Sequence, residues 1–140
     1  HEKVHSRQEA IRMKLLTTLT FLLLTATASA LPEKHYQAIA AKALDGQTEV
    51  TMGDRTRCDI VTATHAIEVD WSKKWAEAIG QSLNYSFQTN LRAGIILIMD
   101  TPTDTREAIR VNSIIRHYDL PVSLWVIDKQ SEALTLFSEE

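Results

Sequence analysis

One uninterrupted apolar stretch, residues 93–99 (AGIILIM), constrains the fold of this chain more than any other feature. A strand with one wet face alternates apolar and polar residues, whereas a run without polar breaks is typical of a strand covered on both faces. Such a strand needs a packed layer on each side. The run therefore predicts a sheet with helices on both of its faces.

The segments before this run set the first half of the fold. Residues 32–46 carry apolar side chains at helical spacing and end in Gly46, which predicts a first helix. Three short apolar or alternating stretches follow with polar turns between them, which predicts three strands at residues 48–52, 58–62 and 66–69. The period then changes to that of a second helix that runs to about Ser86. One face of it is marked by Trp71, Trp75, Ala78, Ile79 and Ser82.

After the apolar run, Asp104 and Glu107 form a capping-box pattern that predicts the start of a last helix. Its predicted apolar stripe consists of Ile109, Ile114, Ile115 and Tyr118. Residues 122–128 predict a final strand, and the tail after them is compatible with a small helix or with a frayed end. The order of elements predicts an α/β fold with one mixed sheet, an antiparallel meander followed by a right-handed crossover.

The first thirty residues resemble a targeting segment. Residues 13–30 begin with Met13 and Lys14, continue as an apolar run and end in Ala-Ser-Ala, the pattern of a secretory signal peptide cut before Leu31. The run is shorter than the ~20 apolar residues that a membrane-spanning helix needs, so no membrane anchor is expected after cleavage. Residues 1–12 are interpreted as an upstream extension, and residues 31–140 as a single domain. We expect an exported protein, periplasmic or extracellular.

Charge and cysteine content narrow the possible functions of that domain. Residues 31–140 contain 11 lysine and arginine residues against 16 aspartate and glutamate residues, a net charge of −5. This balance argues against a protein that coats nucleic acid without specificity. Cys58 is the one cysteine of the sequence, so an exported form has no internal disulfide and its core depends on packing.

Two acids interrupt the third predicted strand. Glu68 and Asp70 are two residues apart and so share one face. A hairpin through residues 63–65 brings Asp59, in the preceding strand, close to Glu68. Clustered carboxylates repel each other unless a divalent cation lies among them, and their hard oxygen atoms suit Mg²⁺ or Mn²⁺. The alternative is a solvated strand edge on which the acids have no ligand.

The helix that follows carries a polar stripe that begins beside these acids. Lys74, Gln81 and Tyr85 are separated by seven and four residues, spacings that place them on one side of a helix. Trp75 and Ile79 lie on the opposite side. A lysine there could orient a water or offset the charge of a phosphate, and the amide and phenol could hydrogen-bond a phosphodiester backbone. Arg55 and Arg57, Glu33, Gln37 and Glu49 are secondary candidates near this patch. His65 and Cys58 are interpreted as a turn residue and a core residue.

This set of residues resembles the PD-(D/E)XK nuclease superfamily, the restriction-endonuclease-like fold. That fold has an α-β-β-β-α-β core, to which this chain adds a helix and a strand. Asp59 matches the acid of the second core strand, Glu68-Val69-Asp70 matches the acid-x-lysine of the third, and Gln81 to Tyr85 match a Q-x-x-x-Y helix motif. The segment from Arg57 to Tyr85 also resembles a family of small exported bacterial proteins of unassigned role.

The resemblance implies a metal-dependent nuclease. Asp59 and Glu68 would hold Mg²⁺ or Mn²⁺ beside a backbone carbonyl, and Gln81 and Tyr85 would position a nucleic acid. One departure matters, because the position that is usually lysine is Asp70. Three options follow: Lys74 replaces the lysine from the helix, Asp70 acts in its place, or the fold has lost catalysis. The last option makes the protein a nuclease-fold binding module of the cell envelope.

Overall fold

Six strands and three helices form the part of the chain that the computed structural model describes, residues 31–137. The expected extension and signal peptide, residues 1–30, lie outside the described residues. In chain order the elements are α1 (Glu33–Ala43), β1 (Gln47–Thr51), β2 (Arg57–Val61), β3 (His65–Trp71), a 3-10 turn (Ser72–Lys74), α2 (Trp75–Thr89), β4 (Arg92–Met99), a second 3-10 turn (Pro102–Asp104), α3 (Thr105–His117), β5 (Val122–Asp128) and β6 (Leu134–Leu136).

All six strands belong to one mixed sheet with the order β1-β2-β3-β4-β5-β6. The first three strands are antiparallel neighbours, β3, β4 and β5 are parallel, and β6 is antiparallel to β5. The crossover from β3 to β4 passes through α2, and that from β4 to β5 through α3. The predicted α/β class, with a meander followed by crossovers in a mixed sheet, is confirmed.

The sheet is covered on both faces, as the apolar run in β4 predicts. On one face, Ile96 and Ile98 pack with Tyr36 and Ala40 of α1. Ile95 and Leu97 point the other way because side chains alternate along a strand. They pack in a second cluster with Ala78 of α2 and with Ala108 and Val111 of α3. Helix α1 therefore forms one layer, and α2 and α3 form the other.

The predicted start of the second helix is wrong. Strand β3 continues through Asp70 and Trp71, and helix α2 begins only at Trp75, after a 3-10 turn. The two tryptophans therefore pack on opposite sides of the sheet. Trp71 lies edge-on to Tyr36, with ring centroids 5.7 Å apart, while Trp75 packs in the α2–α3 layer. The four-residue spacing of the tryptophans imitates a helix, although the backbone between them is extended and then tightly turned.

Three further expectations about the second half are wrong. The buried face of α3 is formed by Ala108, Val111, Asn112 and Ile115, while Ile109 and Tyr118 are exposed. The capping box lies three residues earlier than predicted, where Thr101 and Asp104 satisfy each other across the second 3-10 turn. The tail is also ordered as a strand, because β6 pairs with the outer edge of β5.

Candidate active site

Strands β2 and β3 separate soon after their hairpin, and the opening between them contains the predicted acids. The ladder pairs Val61 with Ala66 and Ile60 with Ile67, and it ends there. Beyond that point the Asp59 side chain replaces a backbone partner. Its Oδ2 accepts a hydrogen bond of 2.8 Å from the backbone amide of Val69. Asp59 is thereby placed next to Glu68, which directly precedes Val69.

Asp59 is also contacted from the side of α1. The Gln37 Nε2 donates hydrogen bonds to the Asp59 carbonyl oxygen at 2.7 Å and to Glu49 Oε1 at 3.0 Å. The other Glu49 oxygen, Oε2, lies 2.6 Å from Arg57 Nε. Glu49 has a left-handed backbone with φ of 57°, which the sequence gives no reason to expect. Of the secondary candidates, Gln37 therefore contacts Asp59 directly, while Glu49 and Arg57 are linked to it through Gln37.

Glu68 and Asp70 project from β3 into this opening and are almost completely buried, at 5% and 4% exposed. Within residues 31–137, no group donates a hydrogen bond to Glu68 Oε2. Burial and the neighbouring charge of Asp59 raise the pKa of Glu68 to about 9. Burial also raises the pKa of Asp59 and of Asp70. The three carboxyl groups therefore cannot all ionise easily in the protein alone.

The six residues singled out in the sequence border one cavity of about 390 Å³. These are Asp59, Glu68, Asp70, Lys74, Gln81 and Tyr85, and the cavity is completed by Glu33, Thr56, Arg57 and Glu77. Its polar lining contrasts with the apolar layers above and below the sheet. A region of this polarity, enclosed by two strands and two helices, is suited to a charged ligand.

Lys74 reaches the cavity from the 3-10 turn rather than from the helix. Its Nζ lies 3.7 Å from Asp70 Oδ1, and its side chain is 54% exposed. The separation is long for an ion pair and the ammonium end is open to solvent, so Lys74 can pair with another anion. Lys73 does not line this cavity. The structure therefore brings Lys74, and not Lys73, to the acids.

Gln81 and Tyr85 occupy different depths of the cavity. Gln81 is exposed, whereas Tyr85 is 4% exposed and packs with Cys58 and Ala66. Burial and the charges of Glu68 and Asp59 raise the pKa of Tyr85, and its hydroxyl contacts Glu68. Tyr85 therefore remains a protonated donor directed at the carboxylates, and Gln81 is the residue of the pair that is open to solvent.

Glu33 is an acid of the site that the main predicted set does not include. It lies in the first turn of α1, and its carboxyl group hydrogen-bonds Asp70. Burial, followed by the charges of Asp70 and Asp59, raises its pKa to about 7. In the sequence Glu33 is an ordinary first-turn acid, and only the packing of α1 against the sheet brings it to β3.

The tip of the β1–β2 hairpin is tied to α2 and forms one wall of the cavity. Asp54 Oδ2 accepts a hydrogen bond of 3.2 Å from Asn84, and the Asp54 amide donates to Gln88 Oε1 at 3.1 Å. Thr56 donates to Asp54 Oδ1 through both its amide and its hydroxyl. These contacts fix the hairpin beside Gln81 and Tyr85.

Neither His65 nor Cys58 joins the site. His65 begins β3, where its Nε2 lies 3.0 Å from Ser123 Oγ. Cys58 is fully buried, and burial raises the pKa of its thiol to about 11. A protonated, buried thiol is a poor nucleophile. Cys58 is therefore a core residue, as interpreted from the sequence, whereas His65 lies in strand β3 and not in the turn that the sequence predicts.

The acidic side chains supply only some of the oxygen ligands that a hard cation needs. Among the described residues, no three His, Cys, Asp or Glu side chains are grouped so that they could hold a metal ion. Asp59 and Glu68 line the same cavity, however, and the buried Glu68 Oε2 has no hydrogen-bond partner within residues 31–137. Mg²⁺ is commonly held by one or two carboxylates together with water. Asp59 and Glu68 are therefore the two side-chain donors that a cation at this place would use.

No family model matches this chain, and neither a curated protein nor a solved structure matches it.

Proposed function

We propose that this protein is an exported, metal-dependent nuclease with a restriction-endonuclease-like core, in which Asp59 and Glu68 hold Mg²⁺ or Mn²⁺. The observation that carries the proposal is that Asp59 and Glu68 line one polar cavity, in which the buried Glu68 Oε2 has no hydrogen-bond partner among the described residues. The order of α1, β1, β2, β3, α2 and β4 supports it, because it follows the α-β-β-β-α-β core.

The unfavourable clustering of acids is itself an argument for a ligand. A buried carboxyl group without a partner lowers stability, and so does a neighbouring like charge. Apolar residues at these positions would pack without this penalty. Arrangements that lower stability locally are characteristic of functional sites. A bound cation would offset the repulsion and satisfy Glu68 Oε2.

Each residue of the cavity has a distinct role in this proposal. Asp59 and Glu68 would hold the cation, which would supply charge stabilisation at the scissile phosphate and lower the pKa of a bound water. Lys74, exposed and only weakly paired with Asp70, orients that water or the phosphate. Gln81 hydrogen-bonds the phosphodiester backbone, and Tyr85 orients Glu68. The nucleophile is water, and the bond that breaks is the phosphodiester P–O bond to the leaving oxygen.

The charges near the cavity favour a short or single-stranded substrate. Among the described residues, Arg57 and Lys74 are the two basic residues that line it, and Arg57 is closely paired with Glu49, so Lys74 is the more available of the two. A protein that binds a duplex along many phosphates needs a row of free basic groups. We therefore propose a substrate that presents only a few phosphates to the site.

A second candidate is a binding module that keeps the fold without catalysis. Asp70 favours it, because this acid stands where the resembling family has lysine. In that case the cavity binds a cation or a nucleotide without turnover.

Nuclease assays separate the two candidates. The purified protein is incubated with single- and double-stranded DNA and RNA in the presence of Mg²⁺, Mn²⁺ or EDTA. Cleavage that EDTA abolishes, and that a Glu68→Gln variant lacks, supports the nuclease. Cation binding by calorimetry without any cleavage supports the binding module, and the absence of both contradicts the metal site.

A further inference from the structure

In strand β2 the regular alternation of side chains between the two faces of the sheet is interrupted at Asp59. Cys58 and Ile60 are two residues apart, so a regular strand would place them on one face. Instead, Cys58 packs with Tyr85 on the α2 side, and Ile60 packs with Tyr36 on the α1 side. This irregular step is what directs the Asp59 carboxylate sideways towards β3.

The neighbouring strand β1 is distorted at the same level. Thr48 pairs with Ile60 and Val50 with Cys58, and Glu49 lies between these pairs with φ of 57°. A non-glycine residue in the left-handed region is strained and persists only where its surroundings hold it. The distortion therefore needs contacts that stabilise it from outside the two strands.

Gln37 supplies such contacts from helix α1. It is 3% exposed, and its Nε2 donates to the Asp59 carbonyl oxygen at 2.7 Å and to Glu49 Oε1 at 3.0 Å. A glutamine amide nitrogen has two protons, and this geometry uses both. One side chain thus links the two strands at the level where both are irregular.

We propose that Gln37 is a positioning residue that holds the irregular step of β1 and β2, and so keeps the Asp59 carboxylate on the Val69 amide and beside Glu68. The consequence for metal binding and turnover rests on the proposed function. The consequence for the position of Asp59 does not, and it can be measured without metal or substrate.

Hydrogen exchange at the Val69 amide is the direct readout, because this amide donates to Asp59 Oδ2. In Gln37→Glu the shape is kept, but both donors are lost and a carboxylate faces Glu49. We expect Val69 to lose about tenfold of its protection relative to Ile96 in the central strand β4, as loss of a buried hydrogen-bond partner predicts. Gln37→Met, which removes the donors without adding charge, is expected to act in the same direction. The matched control is Ala41→Gly in α1, which weakens the helix generally and should change Val69 and Ile96 in proportion.

The double variant with Gln37→Glu and Glu49→Gln separates the two contacts. The exchanged pair again has one donor and one acceptor between positions 37 and 49, but nothing at position 37 donates to the Asp59 carbonyl. We expect it to recover stability without recovering the protection of Val69. In an active protein, Gln37→Met should weaken Mn²⁺ affinity and kcat by about 10–100-fold, as loss of a group that orients a metal ligand does. KM for the nucleic acid should change little.

Selective exposure of Val69 in Gln37→Glu and Gln37→Met supports the inference. Unchanged Val69 protection in both variants overturns it, whatever their activity. Restoration of Val69 protection by the double variant also overturns it, because the contact with Glu49 alone would then be sufficient. If the wild-type protein neither binds Mn²⁺ nor cleaves nucleic acid, the proposed function fails, and the exchange experiment still decides the role of Gln37.

Discussion

The Asp59 carboxylate accepts a hydrogen bond of 2.8 Å from the Val69 amide, at the point where the ladder between β2 and β3 has ended. A side chain therefore replaces the backbone partner that a regular sheet would provide. This contact keeps the buried amide of Val69 satisfied, and it directs an acid into the opening beside Glu68. The same bond thus serves the fold and the candidate site, and substitutions can separate the two roles.

Asp59→Asn and Asp59→Ala should differ in the free energy of unfolding, but both should bind Mn²⁺ more weakly than the wild-type protein. The asparagine keeps an acceptor for the Val69 amide, whereas alanine leaves this buried donor without a partner, which costs about 1–3 kcal/mol. Both variants lose the charge that would hold a cation. We expect denaturant unfolding to show Asp59→Ala as the less stable variant, and calorimetry to show weakened Mn²⁺ binding in both. Equal stability of the two variants would contradict the bridging role of the carboxylate.

Glu68→Gln should stabilise the metal-free protein at alkaline pH. Burial and the charge of Asp59 raise the pKa of Glu68 from 4.5 to about 9 in the folded protein. Between these values the folded state keeps a proton that the unfolded chain releases. The free energy of unfolding therefore falls as the pH rises, by up to about 1.4 kcal/mol per pH unit for one proton.

The amide that Glu68→Gln introduces has no such proton to lose, so the variant should lack this slope. We expect the two proteins to be similar in stability near pH 5, and the variant to be more stable at pH 8. The measurement is denaturant unfolding in EDTA across this range. Parallel profiles for the two proteins would show that Glu68 ionises normally in the fold. Added Mn²⁺ should stabilise only the wild-type protein, by mass action on the folded state.

Lys74→Ala should remove most turnover while leaving Mn²⁺ affinity largely unchanged. The reason is that an ammonium group beside the acids acts on the phosphate or the water, and loss of one charge-stabilising donor typically reduces the rate by ~10²–10³-fold. Lys73→Ala is the matched control, since Lys73 precedes it in the same turn and does not line the cavity. Cleavage rates and calorimetry of both variants check the assignment. A crippled Lys73→Ala with a normal Lys74→Ala would reverse it, and an effect of neither would direct attention to Asp70.

Alanine at two glycines should have opposite effects on stability. A Cβ at Gly94, in β4, would lie 2.8 Å from Ile67 Cγ1 and 3.1 Å from Trp125 Cζ3. Overpacking of this kind costs about 1–3 kcal/mol. A Cβ at Gly80, in α2, meets no atom of residues 31–137 within 4 Å, and alanine there should add about 0.5–1 kcal/mol through helix propensity. Thermal unfolding of the two variants checks both signs. A neutral Gly94→Ala would contradict the close packing of the central strand.

Export remains a prediction from the sequence, since residues 13–30 lie outside the described residues. We expect protein purified from its native host to begin at Leu31, as the Ala-Ser-Ala pattern predicts. Mass spectrometry of the intact protein measures this directly. A cytoplasmic protein that begins at Met13 would contradict the signal peptide.

The sequence by itself determined the layers of the fold and the neighbourhood of the acids. An apolar run without breaks requires cover on both faces, and β4 has it. Residues at positions i and i+2 of a strand share a face, and Glu68 and Asp70 both face the cavity. These conclusions hold because side-chain periodicity is a local property of the backbone. It can be determined from the sequence without knowledge of distant contacts.

The tertiary structure decided the details that give the site its geometry. The left-handed Glu49, the interrupted alternation of β2 at Asp59 and the link from Gln37 depend on contacts between α1 and two strands, which no local pattern encodes. The spacing of Trp71 and Trp75 is that of a helix, but spacing alone does not show where an extended backbone ends. Strand β6 was not foreseen for a related reason, since its order comes from pairing with the edge of β5. In each case the deciding free energy comes from partners remote in sequence, and these meet only when the chain has folded.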